Sequence, residues 1–328
     1  MRVLFYSAQT YDIESFDLAN KDHGFELIYL EAHLNEKTAL LSKGFDAVCV
    51  FVNDSVDAEV LRILSENGIG LIALRCAGFN NVDLEAAKKY NIKIVRVPEY
   101  SPYAVAEHSC ALILALNRKT HRAYNRTRES NFKLCGLQGF DLAGKTIGII
   151  GCGRIGQVAA KIFDGFGMKV LVYDPYYKGD LDFAVQVTLP ELLQASDIVS
   201  LYCPLNQETK HLIDAKAIEQ MKDGVMIINT SRGALIDSKA AIAGLKSGKI
   251  GYLGLDVYEE EAGLFFEDHT GMIMQDEVLA RLLTFPNVLV TGHQAFFTAE
   301  ALSQIAKTTL VNLESSLHGS EISNLVEA

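Results

Sequence analysis

The chain has 328 residues, 49% of them apolar and 22% charged, with a formal net charge of −11. That length suits about two domains, and the composition is that of an ordinary globular protein. The acidic balance argues against a nucleic-acid partner, which calls for a basic face, and no apolar run approaches the ~20 residues of a membrane span.

Met1-Arg2 leads straight into the apolar run Val3–Tyr6, which reads as a first strand rather than a signal peptide. Further strands are predicted over Glu26–Leu30, Ala47–Phe51, Ile69–Leu74 and Ile92–Val95. Helical patterns lie between them, such as Asp57–Glu66 and Asp83–Tyr90, the latter with Asp83 as N-cap. This alternation implies a parallel sheet covered by helices on both faces. Two loops in this region are candidates for binding. Arg75 to Asn81 follows a strand directly, where parallel sheets bind ligands, and Gly78 lets backbone N–H groups point at an anion. Pro98 to Pro102 precedes a helical pattern from Tyr103 to about Arg128. The first half of that pattern is apolar nearly all round and predicts a helix buried between domains. Its second half is basic (Arg118, Lys119, Arg122, Arg126, Arg128) and predicts a solvated face or a subunit contact.

The stretch from Lys145 to Pro175 carries the most specific signal. A β-branched run, Thr146–Ile150, is followed by Gly151, Gly153 and Gly156 in GxGxxG spacing, by helical periodicity over Gln157–Phe166, and by a second run, Lys169–Tyr173, ending at Asp174. Strand, glycine turn, helix, strand and acid within about 30 residues are what a dinucleotide site requires. Gly151 permits the tight turn, Gly153 lets the backbone approach a pyrophosphate, and Gly156 lets the helix pack closely on the sheet. The helix N-terminus turns unpaired N–H groups toward the phosphates. Asp174 suits a ribose 2′-hydroxyl and would repel a 2′-phosphate, so NAD is expected rather than NADP. The β/α rhythm continues with helices at Pro190–Ala195, Asp214–Met221 and Lys239–Leu245, and strands at Ile198–Cys203, Val225–Asn229, Tyr252–Val257 and Val288–Thr291. A long connection runs from Asp256 to about Asp276, and connections of that length inside α/β domains are usually functional. A last helix, Thr298 to about Leu317, is expected to return to the first domain. The six cysteines (Cys49, Cys76, Cys110, Cys135, Cys152, Cys203) form no CxxC pair and read as reduced thiols in a cytoplasmic protein. No Cys/His cluster has metal-ligand spacing, so no metal is expected.

Arg232, Glu261 and His293 each lie on a loop after a strand of one sheet. Each has a structural alternative when taken singly: an ion pair for Arg232, a solvated acid for Glu261, a helix cap for His293. Together they match the needs of hydride transfer to a 2-keto acid. Guanidinium holds a carboxylate with paired donors, histidine gives and takes a proton near neutral pH, and a neighbouring carboxylate orients the imidazole and favours its charged form.

At these residues the chain resembles the NAD-dependent D-2-hydroxyacid dehydrogenase family, nearest its fermentative D-lactate branch. The resemblance rests on RCAGFNNVD (Arg75–Asp83), PEYSPYAVAEH (Pro98–His108), GCGRIG (Gly151–Gly156), INTSRGALID (Ile228–Asp237), GLDVYEEEAGLFFED (Gly254–Asp268) and TGHQAFFTAEAL (Thr291–Leu302). It implies a fold of two Rossmann-like or flavodoxin-like, doubly wound parallel-sheet α/β domains with a cleft between them. Residues 1–100 with 297–328 would form a discontinuous substrate domain, and 101–296 the NAD-binding domain. It implies catalysis by Arg232, Glu261 and His293, the motif selecting Glu261 over Glu259 and Glu260. It implies substrate binding by the amides around Ala77 and Gly78 with Tyr100, Arg232 and Phe296. It implies NAD contacts from the glycine turn with Arg154 and Ile155, and from Asp174, Pro204, Thr209, Thr230 and Asp256. The implied reaction is the reversible reduction of pyruvate to D-lactate by NADH, in a homodimer or homotetramer. The alternatives are a branched, aromatic or glyoxylate-type 2-keto acid, or an NAD-sensing scaffold like the corepressors built on this fold. Where the family often has Pro after the catalytic Glu, this chain has Ala262 and a longer segment through Phe265 and Phe266, which matches the lactate-type branch.

Overall fold

The computed structural model describes residues 1–261, 263–317 and 324–326. They separate into two compact units, Met1–Ser101 with Phe297–Ala328, and Pro102–Phe296.

The first unit is built on five parallel strands: β1 (Arg2–Phe5), β2 (Glu26–Tyr29), β3 (Ala47–Val50), β4 (Leu71–Leu74) and β5 (Lys93–Arg96), in the order β2-β1-β3-β4-β5. β3 and β4 are buried at every residue, as strands between two helical layers must be. The helices are α1 (Thr10–Asn20), α2 (Ala58–Glu66) and α3 (Leu84–Lys89). Asp57 caps α2 by accepting from the N–H groups of Glu59 and Val60, and Asp83 caps α3 by accepting from Ala86.

In the second unit, α4 (Pro102–Arg118) and α5 (Thr120–Arg128) precede a seven-stranded sheet. The predicted single helix over this stretch is thus two. Lys119 breaks it in left-handed backbone, φ 51°. Neither Gly nor Pro marks the spot, so periodicity alone runs through it. The break is tertiary: Lys119 Nζ reaches Gln138 O, and Asn117 exchanges hydrogen bonds with the Phe140 backbone. Every residue of α5 is at least partly exposed, as its basic character predicts. The chain continues through β6 (Thr146–Ile150), α6 (Arg154–Gly165), β7 (Lys169–Tyr173), β8 (Val185–Gln186), α7 (Leu189–Ala195), β9 (Ile198–Leu201), α8 (Ala215–Gln220), β10 (Val225–Asn229), α9 (Ser238–Ser247), β11 (Ile250–Leu255), α10 (Glu277–Leu283) and β12 (Val288–Val290). The strand order is β12-β11-β10-β9-β6-β7-β8, with parallel pairing throughout. The chain winds outward from β6 to β8, then returns to β9 on the other side of β6. That reversal is a topological switch point, where open α/β sheets bind ligands beyond the strand carboxyl ends. α6 turns Gly156, Ala159, Ala160 and Phe163 into the core, one face of a 3.6-residue period.

α10 falls at the end of the long connection and was not expected. Its signal is ordinary: Asp276 accepts from the N–H groups of Val278 and Leu279 ahead of an apolar run. The chain then re-enters the first unit as α11 (Ala299–Leu317), which packs on α1. Asn312 on α11 donates to Arg96 O, and the Arg96 N–H donates to Asn324 O. No helix among the described residues is long and apolar enough to cross a membrane.

Candidate active site

The glycine turn after β6 does three different jobs. Gly151 has φ +97°, and a Cβ there would stand 2.6 Å from Cys203 N. A Cβ on Gly156 would stand 2.0 Å from Gly151 O, so α6 sits against the turn at a distance only glycine allows. Around Gly153, the N-cap of α6, nothing lies within 4 Å of a Cβ. Two glycines are therefore required by packing, and the third keeps open the space in front of the helix N-terminus, which is the cradle a pyrophosphate needs. Asp174, at the end of β7, accepts from the N–H groups of Cys152 (2.7 Å) and Tyr176 (2.9 Å). Each carboxylate oxygen keeps acceptor capacity for a ribose hydroxyl. The residues present thus fit a dinucleotide. Pro204 and Thr209 belong to one turn after β9, in which the Thr209 hydroxyl donates to Pro204 O. Thr230 is buried after β10, its hydroxyl 2.9 Å from Ser109 Oγ on α4. Arg154 and Ile155 open α6.

Three neighbouring strands deliver the ionisable groups. β10 leads to Arg232, β11 to Glu261 and β12 to His293. Glu261 and His293 meet: Glu261 Oε1 lies 2.9 Å from His293 Nδ1, and Glu261 Oε2 accepts from the Tyr258 N–H at 3.0 Å. An ionised carboxylate only accepts, so Nδ1 carries the proton and Nε2 is left for a substrate. Glu259 takes a different partner, His211 Nε2. Arg232 bonds neither member of the pair; its Nη1 donates to Ser231 O at 2.7 Å. Its loop is held from below instead. Asn229 Nδ2 donates to Arg232 O, Ser231 Oγ donates to Cys203 O, and a Cβ on Gly233 would stand 2.0 Å from Tyr258 C. The Arg232 and Glu261 loops are therefore seated on one another, backbone to backbone.

Asp256 has a structural role inside the unit. It has no exposed surface. Its carboxylate accepts from the Thr291 hydroxyl and the Gln294 and Ala295 N–H groups, with His108 Nε2 of α4 at 3.3 Å, and its own carbonyl accepts from the His293 N–H. Asp256 thus anchors the histidine loop. Sequence reasoning missed His108 in this arrangement, because its partners are far away along the chain. Burial alone would raise the Asp256 pKa; the hydrogen bonds from His108, Thr291, Gln294 and Ala295 outweigh it and hold the group below its usual 3.8. A carboxyl lowered in the folded state stabilises fully above its unfolded value, and the contribution drains away as pH falls through the folded one. The unfolding free energy of Asp256→Asn should thus trail the wild type most at neutral pH, and the gap should narrow below pH 3.8. Urea titrations of both proteins against pH check this; a gap that did not change with pH would contradict it.

In the first unit, the loop after β4 carries Ala77 and Gly78. Arg96 Nη1 donates to Ala77 O, and the Cys76 thiol to Gly78 O. Among the described residues the N–H groups of Ala77 and Gly78 have no protein acceptor. Arg75 at the head of this loop is buried and structural, paired with Asp12 and bonded to Ser7 O. Tyr100 is half-buried near the end of this unit's first segment, and Phe296 is buried at the end of the second unit. Ala262 lies outside the described residues.

Known proteins share this architecture and about half of this sequence. Residues 110–295 match the family described as D-isomer specific 2-hydroxyacid dehydrogenase, NAD binding domain. The D-lactate dehydrogenase of Escherichia coli K12 is 54% identical over 315 residues, 95% of this chain and 96% of its own. The apo structure of D-lactate dehydrogenase from Escherichia coli superposes with a TM-score of 0.91 at 50% identity, covering 99% of this chain and all of that one. A structure described as the pyruvate reductase of Chlamydomonas reinhardtii gives 0.93 at 45% identity over 99% and 98% of the two chains. With the glycine turn, the acid after β7 and the Glu–His pair on adjoining strands, these matches make the chain a member of the D-isomer specific 2-hydroxyacid dehydrogenase family, with NAD as its cofactor.

Proposed function

We propose that the protein is a D-lactate dehydrogenase that reduces pyruvate to D-lactate with NADH and runs in reverse with NAD. The observation that carries this reading is the Glu261–His293 pair at the carboxyl edge of the sheet whose β6 end bears the glycine turn. NAD, when bound, supplies or accepts the hydride. The chain's own groups do the rest. Arg232, with the amides at Ala77 and Gly78, holds the substrate carboxylate. His293 Nε2 donates a proton to the carbonyl oxygen in reduction and removes it in oxidation. Glu261 keeps the imidazole in the tautomer and orientation that this requires. Tyr100 and Phe296 are assigned to the substrate's methyl group, and their bulk favours a small side chain. The names of the E. coli and Chlamydomonas relatives support lactate and pyruvate within the family. We further infer a homodimer or homotetramer associating through the cofactor unit, where Tyr124 on the basic α5 and Phe132 and Leu134 just after it are exposed. The free thiols suit a cytoplasmic location.

A panel of pyruvate, 2-oxoisocaproate, phenylpyruvate and glyoxylate with NADH tests the reading. Pyruvate should give the highest kcat/KM, with D-lactate as product. Asp174 predicts that NADPH is about 100-fold poorer or worse, since like charges brought together cost several kcal/mol. Highest efficiency on a larger keto acid would move the enzyme to another branch, and equal use of NADPH would remove the role given to Asp174.

A further inference from the structure

Phe266 lies in the segment after Glu261 and has left-handed backbone, φ 68°. Bulky residues seldom accept that conformation. The same segment uses glycine where a left-handed turn is all that is needed, at Gly263 (φ 73°) and Gly271 (φ 78°). At position 266 it holds a phenyl ring there instead. That ring lies 5.5 Å, centroid to centroid, from the imidazole of His293, the planes inclined by 39°. His293 is itself left-handed, φ 53°. Two unfavourable backbones thus present their rings to each other where the proton is handled, and strain of this kind persists where surrounding structure over-determines it. The surroundings do. The N–H groups of Leu264 and Phe265 both donate to Glu261 O at 3.0 Å, both side chains pack on the core, and the hydroxyl of Tyr258, just before the segment, donates to Asp276 at its end.

We propose that Phe266 is a positioning residue for His293: its ring covers one face of the imidazole, sets the plane in which Nε2 is presented and keeps water off that face. The hydrogen bond from Nδ1 to Glu261 fixes one atom of the ring and leaves rotation about that bond open; the phenyl contact closes it. The inference rests on His293 being the proton donor in the proposed reaction.

Phe266→Gly, Phe266→Leu and Phe266→Tyr in the full chain test it. Glycine removes the ring and suits the backbone, so its melting temperature should equal or exceed the wild type's while kcat falls roughly 10- to 100-fold, as small misplacements of reacting groups do. Its affinity for NADH should be unchanged, and its solvent deuterium isotope effect should rise as proton transfer becomes limiting. Tyrosine, keeping the flat ring, should restore turnover, and leucine should not. A glycine variant with wild-type kcat and isotope effect overturns the proposal, as does one that only loses melting temperature. A wild type that reduces no 2-keto acid overturns the dehydrogenase reading instead. The contact itself is then judged without turnover. The carbon-bound ring protons of His293, assigned by comparison with His293→Gln, should lose a ring-current shift in Phe266→Leu, and unmoved resonances would sink the positioning role.

Discussion

His293→Ala is expected to lower pyruvate reduction about 100- to 10,000-fold, the usual contribution of a positioned acid–base group, with NADH binding intact. The separation is built into the structure. The histidine loop is held by backbone and by Asp256 independently of the imidazole's bond to Glu261: the His293 N–H donates to Asp256 O, and the following N–H groups to the Asp256 carboxylate. Removing the side chain empties the place beside Glu261 and leaves the loop where it was. The dinucleotide cradle at Gly151, Gly153 and Gly156 makes no use of that side chain. D-lactate oxidation should fall as far as pyruvate reduction, because one group serves both directions. NADH fluorescence titration together with stopped-flow turnover checks the split. A variant that kept a large part of its turnover in either direction would show that another group moves the proton.

The parts of this site that the sequence discloses are those that short-range chemistry imposes. The glycine turn is legible because each glycine answers a local steric demand within one βαβ unit. Asp174 is legible because it ends the next strand. Arg232, Glu261 and His293 are legible as three loops after strands, since parallel pairing brings the ends of β10, β11 and β12 to one edge whatever their distance in sequence. Spacing alone did not choose among Glu259, Glu260 and Glu261. Three adjacent carboxylates look alike until the loop is folded, and then Glu259 faces His211 while Glu261 faces His293. What stayed hidden depends on contacts across the whole unit. His108 and Thr291 are 183 positions apart, and nothing near either marks the other. The break at Lys119 and the left-handed turn at Phe266 fall on residues that are neither Gly, Asn nor Pro, because tertiary packing imposes both. Asp256 enters the sequence reading only through the family resemblance, as an NAD contact, and its anchoring of the histidine loop is visible only in its complete burial among internal donors.

Replacing Arg232 separates charge from geometry at the substrate carboxylate. Arg232→Gln removes both, and losing one partner of a desolvated, hydrogen-bonded charge pair costs about 2–5 kcal/mol, so kcat/KM for pyruvate should fall roughly 30-fold to several thousand-fold. Arg232→Lys keeps the charge but offers a point donor in place of a planar fork. Its loss should be smaller, on the order of the 1.5–3 kcal/mol of one charged hydrogen bond, or about 10- to 150-fold. Where the loss appears is the more informative result. If the guanidinium only held the carboxylate, KM would rise and kcat would stay. If it also polarises the carbonyl, that interaction strengthens as the alkoxide forms, and kcat falls too; the proposed role predicts both. The fold gives little reason for collapse. Among the described residues the Arg232 side chain contributes one hydrogen bond, to Ser231 O, while its loop is secured by Asn229, by Ser231 and by Gly233 against Tyr258. Melting temperatures of both variants should therefore match the wild type, and binding of the non-reacting pyruvate analogue oxamate should weaken in step with KM. A lysine variant with unaltered kcat and KM would mean that the substrate carboxylate is held elsewhere, leaving the backbone amides at Ala77 and Gly78 to hold it.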